Sequence, residues 1–193
     1  MANTNAPVEK NSLAYCTRQV NAARTTVLLL MVLTLANIVL FLVDTDTYLP
    51  FCVFVPYYLT AVFMGIDNGF ADGEWVIGDF TIVALVITAV VLALYLLCWL
   101  LSKKKHGFLT AALVLYIVDT LGVLAIALVI VEDLSVFIFD FVAHGIVIYE
   151  LVCGVTGAKK MKKLELEAQH PVETEGAWQQ TEQDPWDKQD AEQ

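Results

Sequence analysis

Polar positions thin out over long stretches of this chain. Four runs, at about 26–43, 80–101, 108–131 and 134–156, are almost unbroken in aliphatic and aromatic residues. Each approaches the ~20 residues that an α-helix needs to cross the hydrocarbon core of a bilayer, so each is expected to be a membrane-spanning helix. A fifth apolar stretch, YLPFCVFVPYYLTAVFMGI at 48–66, reads differently. Pro50 and Pro56 remove backbone donors and interrupt a continuous helix, and Gly65 stands near its end.

Charge decides how the fifth stretch is counted. The eleven basic residues are Lys10, Arg18, Arg24, Lys103, Lys104, Lys105, Lys159, Lys160, Lys162, Lys163 and Lys188. The acids Asp44, Asp46, Asp67, Asp72, Glu74, Asp79, Glu132 and Asp133 lie in connecting segments without a basic residue. Lys and Arg concentrate in cytoplasmic loops. With four crossings every basic residue falls inside and all these acids fall outside; a fifth crossing breaks that separation. The expected fold is therefore all-α and integral to the membrane, with four spanning helices and a re-entrant or interfacial helix at about 48–66 on the external face. Five spans is the alternative.

Composition agrees with the pattern. The 193 residues are 58% hydrophobic and 17% charged, with a mean hydropathy of +0.67, too apolar for the surface of one soluble domain. The formal charge of −10 argues against nucleic acid as a partner, but the sum conceals strict segregation by region. Three parts follow: a cytoplasmic N-terminal segment at 1–25, a helical membrane domain at 26–157, and, at 158–193, a basic flank leading into an acidic tail expected to be disordered from Glu165 onward. Both termini are expected in the cytoplasm and the protein in the cell membrane. The first span has no small-x-small site behind it and reads as uncleaved, and Phe51 directly before Cys52 argues against lipoprotein processing.

Candidate chemistry is concentrated in two of the spans. Asp119, Asp140 and His144 stand where lipid favours Leu. A charged residue at a helix centre costs about 2.5–3.5 kcal/mol on insertion scales, so isolation in lipid is excluded and partners are required. Counting ~1.5 Å per residue from the ends of the runs places Asp140 about 9 Å, His144 about 15 Å and Asp119 about 18 Å from the outer surface. Asp140 and His144, four apart, share a helix face, and Glu150 is turned away from it. One polar cluster is expected, with Tyr116 and Asn37 the nearest additional members. It serves either as interhelical hydrogen bonding that fixes packing or as a proton or cation relay; the first reading is favoured because four helices enclose little room for a path.

Other chemistry is thinner. Cys16, Cys52, Cys98 and Cys153 have no CxxC spacing, and one His with two Asp is a poor zinc set, so no metal and no cofactor is expected. Ser135 lies at the outer edge, too far for a hydrolase triad, and an enzyme is not the favoured class. Lys159, Lys160, Lys162 and Lys163 form a flank facing anionic lipid, each adding about 1 kcal/mol near a surface. Trp178 and Trp186 are candidate anchors for a cytoplasmic partner. The acidic loop holding Asp67, Asp72, Glu74 and Asp79 lacks the EF-hand pattern and reads as solvated. Short links make the last three spans antiparallel neighbours, and Gly122, Ala125, Gly145 and Gly154 are candidates for close helix approach.

The segments PYYL, YLLCWLLSKKKHGFLTAALVLYIVDTL and FIFDFVAHGIVIYELVCGVTGAKKMKK resemble a group of small polytopic membrane proteins of Gram-positive gut bacteria, whose last helix carries a similar D-x-x-x-H, an aromatic-rich stretch, Gly and lysines. The resemblance spans roughly residues 26–164 and implies topology without an activity. Two functions stand at this point: a structural or accessory subunit of a membrane assembly, with a homo-oligomer or a membrane-complex partner, or a component of a proton- or cation-coupled transporter.

Overall fold

The computed structural model of the chain describes residues 12–43, 45, 47–69, 76–129 and 137–169. Among these there are five α-helices and no strand: α1 (Leu13–Leu42), α2 (Phe54–Asp67), α3 (Asp79–Leu101), α4 (Gly107–Val129) and α5 (Ile138–Gln169). Four of them are long and apolar enough to cross a membrane, and α2 is a shorter apolar helix. The distribution of side chains is that of a membrane protein. Leu28, Val32, Leu35 and Val39 on α1 and Phe80, Val83, Val86 and Val90 on α3 are exposed, while Thr34, Asn37, Thr60, Thr81, Thr88, Asp119, Asp140 and His144 are buried.

The long helices alternate in direction. Thr17 Oγ1 reaches Met161 Sδ and Thr26 donates to Glu150, so α1 and α5 run antiparallel along their length. Arg24 Nε donates to Ser102 Oγ at 3.2 Å, which sets the lower half of α1 against the end of α3. One end of the bundle thus gathers Arg18, Arg24, Lys103–Lys105 and Lys159–Lys163, and is called here the basic end. Asp67 and Asp79 mark the opposite, acidic end.

Between α1 and α3 the chain re-enters the bundle. From the top of α1 it descends without helix: Leu49 lies beside Asn37 and Val53 beside Thr34. Thr34 is eight residues, or about 12 Å, below Leu42. Phe51 makes the turn at the bottom in the left-handed region (φ 66), a strained conformation for a bulky residue, and packs against the main core cluster. Helix α2 then climbs back for 14 residues, about 21 Å, against the ~30 Å of a hydrocarbon core. Its end meets the start of α3, where Asp67 accepts from Thr81 N at 2.7 Å. The 48–66 stretch therefore enters and leaves at one end of the bundle, and the five-span alternative does not hold.

Helix boundaries depart from the sequence expectation at three places. Residues 48–53 are not helical, because the residue before Pro50 is pushed from the α region and the descent leaves no intrahelical partners. Helix α1 begins at Leu13 with Ser12 accepting from Tyr15 N at 3.2 Å, well before the apolar run. Helix α5 continues to Gln169, past Glu165, where order was expected to end; the run rich in Lys, Glu, Leu and Ala has high helix propensity, and Lys163 pairs with Glu167 at 3.7 Å.

Two of the small residues allow close approach. A Cβ at Gly154 would lie 2.2 Å from Ala23 Cβ, and one at Gly122 would lie 2.5 Å from Val55 Cγ2. Gly145 meets nothing within 4 Å and Ala125 is exposed, so neither serves the packing role expected of it: both fall on the outward faces of their helices. Gly154→Leu is expected to separate α1 from α5 and cost about 1–3 kcal/mol, seen as a lowered melting temperature in detergent. Ala23→Gly should recover part of the loss in Gly154→Ala, and no recovery in that double variant would contradict the contact.

Candidate functional site

A helix beginning inside a bilayer exposes four backbone N–H groups that neither water nor the helix itself can satisfy. Helix α2 begins beside Asp119, which lies about 18 Å from the start of α4 and about 15 Å from its end. Its cap residue, Val53, offers no side-chain hydrogen bond. The partners come from other helices. Val53 N donates to Thr34 Oγ1 at 2.8 Å, Phe54 N to Asp119 Oδ2 at 2.9 Å and Val55 N to Asp119 Oδ1 at 2.8 Å. The fourth position is Pro56, which has no N–H to satisfy. Asp119 is thus the N-cap of α2 supplied in trans, with its carboxylate at the helix end whose dipole attracts negative charge.

His144 lies against the same carboxylate. Its Nε2 is 3.3 Å from Asp119 Oδ2, and its ring stacks on Tyr116 with centroids 4.9 Å apart and planes at 16°. Nδ1 sits 2.7 Å from the carbonyl oxygen of Asp140, an atom that only accepts, so Nδ1 carries a hydrogen. A hydrogen bond between Nε2 and the Asp119 carboxyl therefore needs one further proton held by the pair. The Asp140 carboxylate faces elsewhere and accepts from Tyr48 Oη at 3.0 Å, and Tyr48 Oη is in turn 3.3 Å from Cys52 Sγ. Asp119, Asp140 and His144 are 5%, 9% and 2% exposed, which puts the whole group in a packed interface.

The expected cluster thus divides. Asp119 and His144 touch directly, whereas Asp140 joins through its backbone carbonyl and uses its side chain to hold the descending segment. Tyr116 belongs to the group by stacking alone, since its hydroxyl, like that of Tyr95, is buried without a hydrogen-bond partner among the described residues. Asn37 serves another part of the re-entrant backbone: its Nδ2 donates to Leu49 O and its Oδ1 accepts from Leu49 N, both at 2.8 Å. Sequence reading missed Thr34, Tyr48 and Cys52. Thr34 and Asn37 sit three apart in the middle of an otherwise aliphatic run, a pairing on one helix face that was the available signal.

The same device recurs at the acidic end. Asp67 Oδ1 accepts from Phe80 N at 3.2 Å, and Oδ2 accepts from Thr81 N at 2.7 Å and Thr81 Oγ1 at 2.6 Å, so the last residue of α2 caps the start of α3. Gly78 makes room for it, because a Cβ there would lie 2.4 Å from Asp67 Cγ. Desolvation raises the Asp67 pKa, but the hydrogen bonds from Thr81 and from the Phe80 and Gly78 amides outweigh it and hold the carboxyl below its ordinary value. Asp67 is thereby engaged as a cap. Asp72, Glu74, Glu132, Asp133, Ser135, Trp178 and Trp186 lie outside the described residues. Among the described residues no group of three His, Cys, Asp or Glu is placed to hold a metal, and Cys16, Cys52, Cys98 and Cys153 are free thiols. No family model, curated protein or solved structure matches this chain.

Asp119→Asn keeps one acceptor oxygen and turns an amide NH2 toward an N–H it cannot accept. A buried donor left unpaired costs about 1–3 kcal/mol, so the variant should melt earlier, with faster hydrogen exchange at Phe54 and Val55 than at amides of α3. For Asp67, whose folded pKa is depressed, the contribution to stability is complete above the ordinary carboxylate value of 3.8 and is lost as pH falls through the lower folded value. The melting-temperature gap between the native protein and Asp67→Asn should accordingly narrow on acidification below that value; a constant gap would contradict the assignment.

Proposed function

We propose that this chain is a structural or accessory subunit of a membrane assembly, built around a re-entrant half-helix, with no ion pathway of its own. One observation carries the reading: both oxygens of the carboxylate at mid-membrane accept from the first amides of α2. In transporters, the N-terminus of a broken helix at the bilayer midplane points at an anionic substrate group. Here the equivalent position is filled by Asp119 of the same chain, which leaves that helix end no anion to recruit.

The topology that accompanies this reading places both termini in the cytoplasm of a bacterial cell. Its support is the gathering of Arg18, Arg24, Lys103–Lys105 and Lys159–Lys163 at one end of the bundle, the distribution that retains loops on the cytoplasmic side. The tail containing Trp178 and Trp186 would then meet a cytoplasmic partner.

A second reading, transport of a proton or cation, has one observation in its favour. A cavity of about 150 Å³ between α2, α3 and α4 reaches Tyr95 and Asp119, whose carboxylate lies 3.3 Å from His144 Nε2. The two readings part in liposomes. On the structural reading, vesicles containing the protein acidify under an imposed potential no faster than empty vesicles. Protein-dependent flux that is abolished in both Asp119→Asn and His144→Gln, each verified as folded, would replace the structural reading with the transport one.

A further inference from the structure

At the basic end, two grooves of opposite character meet. The first, about 540 Å³, opens between the α3–α4 link and the lower part of α5 and is lined by Lys104, Lys105, His106, Lys159, Lys162 and Glu165, with Val155 and Ala158 as its floor. The second, about 550 Å³, runs up the outer face between α3 and α4 and is walled by aliphatic residues, among them Leu94, Leu97, Leu101, Ala111 and Val114. Gly107 and Thr110 line both. A Cβ at Gly107 would meet nothing within 4 Å, so the passage from one groove to the other is open at the first turn of α4.

The neighbouring cations are differently disposed. Lys103 lies over the Trp99 ring, 5.0 Å from its centroid, and Lys163 pairs with Glu167. Among the described residues Lys104, Lys105, Lys159 and Lys162 are in no ion pair, and the buried Nδ1 of His106 has no hydrogen-bond partner. A cleft with four unpaired lysines and one acid, Glu165, has an excess of positive charge at the level where spanning helix gives way to polar link. From it an apolar channel leads toward the membrane interior.

We propose that the two grooves together form one binding site for an anionic phospholipid. The headgroup phosphate lies among Lys104, Lys105, His106, Lys159 and Lys162, and one acyl chain passes Gly107 and Thr110 into the α3–α4 groove. The charge matches the phosphate, the wall matches the chain, and the join between them lies at the first turn of α4, as a lipid straddling the interface requires. Basic pockets between helices on the cytoplasmic side are the general setting for such headgroups. The site also brings the link between α3 and α4 together with α5.

The test uses the full chain in neutral detergent, titrated with phosphatidylglycerol and, separately, with phosphatidylcholine, and bound lipid is counted by native mass spectrometry. One phosphatidylglycerol per chain is expected to bind at least tenfold more tightly than phosphatidylcholine. Each lysine removed from the cleft should weaken it about fivefold, so Lys104→Gln with Lys159→Gln should weaken it roughly 25-fold. Lys103→Gln with Lys163→Gln, which removes the same charge from outside the cleft, should change it less than threefold. Ala111→Trp, which fills the apolar groove and leaves the lysines intact, should reduce phosphatidylglycerol binding. Equal binding of the two lipids, equal loss in the two lysine pairs, or displacement by inorganic phosphate as effective as by lipid would each overturn the proposal.

Discussion

Hydrocarbon offers nothing to a backbone N–H, and this fold places the first turn of a helix there. Each unsatisfied group in that setting costs several kcal/mol, more than packing around a short helix readily supplies. The start of α2 is stable because its three donors find Thr34 on α1 and Asp119 on α4 and because Pro56 removes the fourth. The descending segment before it follows the same rule through Asn37, whose side-chain amide pairs with the Leu49 main chain, while the Tyr48 hydroxyl ties the segment to Asp140. Most of the polar residues buried in this bundle are thus arranged around one element, and His144 is held where it can support the carboxylate that caps it.

This arrangement explains why the molecule buries polar groups and exposes apolar ones. In a soluble bundle the interior is the apolar phase and a buried Asp is an anomaly. Here the solvent is apolar, and the interior is where backbone groups outside regular helix must find partners. The carboxylates Asp119 and Asp67 do the same job at different depths, the first against His144 in a packed interface and the second half-buried at the acidic end. The similarity suggests that acids in these apolar stretches follow helix starts more than any chemistry of their own.

Much of this was legible in the chain. Run length located the four long helices, and the segregation of Lys and Arg from Asp and Glu identified 48–66 as a stretch that returns to its own side. The cost of intramembrane charge singled out Asp119, Asp140 and His144 before any geometry. What could not be read was the partner of each. A carboxylate at mid-membrane calls for donors, and side chains are the only donors a sequence displays; the backbone amides of Phe54 and Val55 became available only because residues 48–53 leave the helix. For the same reason Asn37 and Thr34 appeared as isolated polar positions, since what they bind is main chain that would have been self-satisfied in an unbroken helix. The ends of α1 and α5 escaped prediction because helix propensity carries them past the apolar run that marks the membrane.

The position of the cap in the chain also orders events during synthesis. Phe54 precedes Asp119 by 65 residues, which at ~5–20 residues per second is roughly 3–13 s of elongation. His144 follows a further 25 residues later. By the end of that interval Thr34, Thr88 and Thr81 already hold the segment on α1 and α3, but the Phe54 and Val55 amides stay without their acceptor until α4 enters. The polar start of the half-helix is therefore completed late despite its early place in the chain, after the rest of α2 has its partners on α3.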